Sequence, residues 1–159
     1  MDLIFNMDIS YSQLVVFQKG IENPFNDWQD IHIDQGFAWR PGAVSFGSLL
    51  ADEMCQINVG IKPQVKILEN SIRTIVVPFE ILEDGIGIAS VTQENDVKIP
   101  SGLYELVFNV IPKPTIDRLD VYDFSFVKTK NPIAKILVAD KMLNPSNKLL
   151  MEAKPAVFE

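Results

Sequence analysis

The sequence predicts an all-β protein: a single antiparallel, sandwich-like domain carrying one short helix near residues 28–35. Three observations lead there. Short runs rich in β-branched and aromatic residues recur through most of residues 9–127. Turn signals separate them at the short spacing of sandwiches and barrels. A single segment, around Asp27–Gly36, carries helix punctuation instead. At 159 residues, 47% hydrophobic and 22% charged, the chain is large enough for one well-filled core.

The elements follow in order. Ile9–Gln18 (ISYSQLVVFQ) reads as a first long strand. Asp27 is placed to cap a helix whose first turn holds Asp30, and Gly36 stands where a left-handed residue closes it. The competing reading is a strand, which would put Asp30, His32 and Asp34 on one face and Ile31 and Ile33 on the other. The cap and the glycine favour the helix. Ala43–Leu49, Met54–Ile61 and Ile72–Leu82 read as further strands, and Pro78 inside the last implies an edge position or a bulge. Asp84-Gly85, between two apolar runs, is the dipeptide a type I′ hairpin turn prefers. Pro100-Ser101-Gly102 marks a second turn, and Leu119–Val127 alternates as a half-buried strand. Beyond Asn131, KILVAD can be one more strand and KLLMEAK a helical turn or two before Pro155; the sequence decides neither.

Charge narrows the function. The net charge is −7, and residues 1–123 hold 18 acids and 8 bases while 124–159 hold 3 and 6. Between Gly20 and Gly60 six acids face Arg40 alone. A phosphate-binding surface is built from Lys and Arg, so direct nucleic-acid binding is not expected; an acidic field steers a basic protein instead. No apolar run is long enough for a transmembrane helix, and MDLIFNMDIS lacks the basic start of a secretory signal. With Cys55 as the only cysteine, a cytoplasmic location is expected.

Catalytic constellations are weak. A nucleophilic triad would have to use His32, the only histidine, and no G-x-S-x-G elbow accompanies it. A lone histidine near a helix end is more often a capping or surface group. A metal site from Asp30, His32 and Asp34 needs the strand reading, and no calcium-loop spacing supports it. Cys55, in MCQINV, reads as a small core hydrophobe, and Tyr104, in PSGLYEL, as a corner tyrosine bonded to nearby backbone. No cofactor is expected. Recognition remains: Trp28 shares a helical face with Ile31 and reads as core, whereas Trp39, beside Arg40 and Pro41, reads as the more exposed. The expected partner-binding set is Asp27, Asp30, Asp34 and Trp39.

The ordered blocks ISYSQLVVFQ, NDWQD, DQGFA and PGAVSF resemble the opening half of the competence protein ComJ family. RTIVVPFEILEDGIGIASV and IPSGLYELVFNVIP resemble its second half, so the likeness runs over roughly residues 8–128. It implies a β-sandwich domain over 1–130; residues 131–159 run past the family pattern, and this C-terminal extension is expected to pack on the same domain. It also implies a non-enzymatic inhibitor that binds and silences a DNA-entry nuclease. It transfers no binding residues. The alternatives are a stand-alone binding or immunity-type β-domain with an unrelated protein partner and, third, a small carboxylate-dependent hydrolase.

Overall fold

A computed structural model describes residues 2–157. Eleven strands and one helix follow each other as β1 (Leu3–Ile9), β2 (Gln13–Gln18), α1 (Asp30–Gln35), β3 (Phe37–Arg40), β4 (Ala43–Gly47), β5 (Glu53–Ile61), β6 (Arg73–Ile81), β7 (Ile86–Ala89), β8 (Glu94–Val97), β9 (Gly102–Ile111), β10 (Val121–Lys128) and β11 (Lys135–Val138). A six-stranded sheet has the order β1-β5-β10-β9-β6-β11, and a five-stranded sheet β3-β4-β2-β7-β8. All pairs are antiparallel except β10 with β5. The all-β, two-sheet architecture with one short helix is thus the one the sequence texture predicts.

The inward residues of both sheets form one core. Met7, Ile57, Ile75, Phe108 and Phe124 come from the larger sheet, and Leu14, Val16, Phe46 and Ile88 from the smaller. Phe46 stacks on Phe108 at 4.3 Å between centroids, joining the sheets at their centre. Strand β2 is apolar without alternation (LVVF buried throughout) because its outer face is covered too: Val15 and Phe17 pack with Ile21 and Phe25.

The structure corrects the sequence reading at three places. The long strand over Ile9–Gln18 is two strands in different sheets, with a further strand, β1, before it. Tyr11 (φ 55) and Ser12 (φ 59) take left-handed conformations and turn the chain from one sheet to the other. The apolar pattern runs on across that turn, so periodicity does not reveal the break. Asp84-Gly85 is likewise not a hairpin, since β6 and β7 belong to opposite sheets. Only Gly85 is left-handed there (φ 127), and its N–H is taken by the Ile99 carbonyl at 2.9 Å. Pro100-Ser101-Gly102 makes the return crossing to β9. Pro78 does have an open side: β11 pairs only with Thr74–Val76, so at the proline β6 has β9 as its one strand partner.

Third, α1 is shorter than expected and Asp27 is not its cap. The N-cap is Gln29, whose backbone N–H donates to His32 Nδ1 at 3.0 Å. Gly36 closes the helix in the left-handed region (φ 85), as its position in the sequence implies. The segment after β11, which the sequence leaves undecided, has no helical turn at KLLMEAK and runs as a strap without regular secondary structure. Tyr104 does act as a corner residue, its hydroxyl donating to the Pro100 carbonyl at 2.7 Å.

Candidate functional site

Where the chain passes between sheets at Tyr11–Ser12, three other segments meet it: α1, the loop after β4, and residues 140–143. They enclose a cleft of about 460 Å³ lined mainly by apolar groups, among them Trp28, Ile33, Leu49, Met142 and Leu143. Its floor is Arg73, a side chain almost wholly out of solvent. A buried guanidinium must be neutralised and fully bonded. Here Nε and Nη2 donate to the two carboxylate oxygens of Asp140, at 2.8 and 3.1 Å, and Nη1 donates to the Gly47 carbonyl at 2.9 Å. Asp140 Oδ1 also accepts the Met142 N–H at 2.9 Å, so the same ion pair shapes the turn that forms one wall. That wall is tied to the helix by the Asn144 N–H, which donates to the Asp34 carbonyl at 2.8 Å.

Along α1, residues 30, 33 and 34 share the outward face by helical spacing, and all three are exposed. His32 points inward. Its Nδ1 accepts the Gln29 N–H, which leaves Nε2 to donate to the Glu152 carbonyl at 2.9 Å. With both ring nitrogens engaged by backbone, His32 is a structural joint between the helix and the strap, and it does not share a face with Asp30 and Asp34. Gln35 repeats the arrangement, bonding Leu150 through both N–H and carbonyl. Trp28 stands edge-on to His32 at 6.4 Å and donates Nε1–H to Gln13 Oε1 at 3.0 Å.

The structure brings Asp27, Asp30 and Asp34 onto one exposed segment but separates Trp39 from them. Trp39 lies in β3, half-buried against the main core, and its Nε1–H donates to the Pro78 carbonyl at 2.7 Å. It lines a different cavity, of about 350 Å³, with Gln18, Pro41, Pro78, Glu80 and Leu82. Arg40, the lone base of the acidic stretch, does not pair with the aspartates. It bonds Asn26 Oδ1 at 2.6 Å and the Asn23 carbonyl, holding the loop before α1 in place.

Two features escaped the sequence reading. One is the cleft itself: Tyr11, Arg73 and Met142 are far apart in the chain and carry no motif. The other is a carboxylate pair, Glu53 with Asp120. Burial, and then the neighbouring Asp120 carboxylate, push Glu53 up to about 7. Tyr122 donates its hydroxyl to Glu53 Oε1 at 3.1 Å and accepts the Leu49 N–H at 3.0 Å, while Asp120 Oδ1 accepts the Lys113 N–H at 2.7 Å. Neither carboxylate lines the cleft or the Trp39 cavity. Their partners make them ties between β5, β10 and the adjoining loops. Cys55 is a buried member of the core, its thiol pushed up to about 12 by burial.

Comparison with known proteins places this architecture. Residues 6–127 match the family Competence protein J (ComJ). The chain belongs to the ComJ family. A DNA-entry nuclease inhibitor from Bacillus subtilis (strain 168) is 32% identical over 113 residues, 70% of this chain and 83% of that protein. The crystal structure of ComJ from Bacillus subtilis, described as an inhibitor of the DNA degrading activity of NucA, superposes with a TM-score of 0.67 at 27% identity. It covers 81% of this chain and 99% of that one. A protein described as crocagin biosynthetic gene J shares the fold, with a TM-score of 0.58 at 9% identity over 82% of this chain and 98% of that one. The ComJ match ends at Val127, so the Met142–Leu143 wall of the cleft and the strap over α1 lie outside the matched residues of this ComJ-family chain.

Proposed function

We infer that this chain is a nuclease inhibitor that acts by binding, without chemistry of its own. The observation that carries the reading is the ComJ match over residues 6–127, together with 32% identity to a DNA-entry nuclease inhibitor. Physical chemistry supports it. An enzyme that degrades DNA must hold phosphates with positive charge, and a protein of net charge −7 is a suitable occupant of such a groove. The nuclease partner is therefore read as basic. Asp27, Asp30 and Asp34 are the groups assigned to face it, because all three are exposed and none joins an ion pair among the described residues. Trp39 is assigned to the seam between the sheets, where its ring and N–H are already engaged.

The test is a DNA-degradation assay with the nuclease of the host organism, titrated with this protein. Stoichiometric loss of DNA cleavage is expected, weakening as salt screens the approach. A nuclease that keeps full activity at excess inhibitor would sink the reading.

A further inference from the structure

We propose that the cleft between Tyr11, Ile33 and Met142 receives an apolar side chain of the nuclease, with a lysine or arginine of that nuclease lying against Asp30 and Asp34. This rests on the inhibitor reading above and names the contact through which it works.

Tyr11, Ile33 and Met142 come from a turn, a helix and the tail, yet they surround one concavity, and they are 72%, 56% and 59% exposed. An apolar concavity rimmed by large exposed side chains is the form of a binding hot spot, where an inserted residue is desolvated on all sides. The rim is also held ready. Tyr11 and Ser12 keep left-handed backbones that non-glycine residues seldom adopt. The turn is fixed from two sides, by Ser12 N–H to the Ala51 carbonyl at 3.0 Å and Ser48 N–H to the Ser12 carbonyl at 2.9 Å.

Charge selects the occupant. Asp140 consumes the charge of Arg73, so the floor neither attracts a carboxylate nor repels a cation. Asp30 and Asp34 do not line the cleft, but they are exposed on the same helix as Ile33, one turn before it and one residue after it, so α1 carries negative charge next to its cleft residue. A second copy of this chain would bring the same aspartates to that opening and be repelled. A basic protein offering an apolar residue next to a cation matches both features. Met142 and Leu143 lie beyond the family-matched residues, so one wall of the cleft is built by the tail of this chain.

The experiment measures binding of the full-length protein to the host's nuclease by surface plasmon resonance at two ionic strengths, beside thermal melts and light scattering. Ile33→Ser and Met142→Ser should each weaken binding at least about tenfold with unchanged melting, because both side chains are exposed in the free protein. Leu82→Ser, an equally exposed apolar site at the Trp39 cavity, should bind as wild type. Asp30→Asn with Asp34→Asn should slow association and flatten its salt dependence. If wild type inhibits but both cleft variants bind like it, or Leu82→Ser loses as much, the cleft proposal is overturned and the inhibitor reading stands. If wild type itself leaves the nuclease unbound and active, both fall. A dimer of the free protein that Ile33→Ser dissolves would replace the nuclease by a second copy.

Discussion

The neighbourhoods of the two tryptophans are built from similar materials and end differently. Trp39 sits where β3 meets the open side of β6. Its N–H reaches the Pro78 carbonyl, and Gln18 reaches the Glu80 carbonyl beside it, so side chains cap the strand edge under the smaller cavity there. Trp28 sits where the chain changes sheets, and there the capping groups satisfy each other and leave a cleft. An exposed backbone edge has to be closed because its polar groups demand partners. A concavity whose polar groups are already paired can stay open for a ligand.

The largest expected effect is on what keeps the cleft end neutral. Arg73→Ala removes one member of a buried ion pair and strands Asp140 and the Gly47 carbonyl, so it should cost about 3–5 kcal/mol in urea unfolding. A loss below 1 kcal/mol would mean the floor is wetter than the geometry shows. Next, the tryptophans themselves should separate. Trp39→Ala empties packing at the core margin and should cost about 3 kcal/mol of stability. Trp28→Ala should cost less in unfolding but more in nuclease binding, as a cleft residue. Equal profiles in melting and binding assays would erase the contrast between seam and cleft.

A third test probes the ties beneath the cleft, where Leu49, Tyr122 and Glu53 are bonded in series. The Glu53 carboxyl is raised from 4.5 to about 7 in the folded chain. Between those values the unfolded chain releases a proton that the folded chain retains. The contribution of Glu53 to stability should therefore be fully present below pH 4.5 and decline as pH rises towards 7. Glu53→Gln should flatten that decline in melts taken across the window; an unchanged slope would assign it to other groups. The smallest effect concerns Asp27. Since Gln29 is the N-cap, Asp27→Ala should shift stability by no more than about 0.5 kcal/mol. A loss near 1 kcal/mol, the usual value for a lost cap, would return the aspartate to that role.

Much of this architecture is legible in the sequence at the level of elements. Strands β4, β5, β6, β9 and β10, the helix stop at Gly36 and the corner role of Tyr104 follow from local pattern and turn chemistry. The two largest differences share one cause. Ile9–Gln18 has the pattern of one strand and Asp84-Gly85 that of a hairpin turn, yet both carry the chain between sheets. A crossing and a hairpin use the same glycines and turn residues, because both need only a sharp reversal; which strand the next segment pairs with is a non-local fact. The candidate site was half legible. The acidic face of α1 shows in residue spacing, whereas nothing local announces Arg73 or Met142.

The sequence alone determined the strand texture, the acidity of residues 20–60 and the family, because composition, alternation and ordered blocks are properties of neighbours along the chain. Tertiary structure alone decided that His32 faces the strap, that Trp39 is engaged at a seam, and that Tyr11 and Met142 frame one cleft. Those outcomes depend on which backbone groups need closing and which buried charge needs a partner, and both are settled only when distant segments meet.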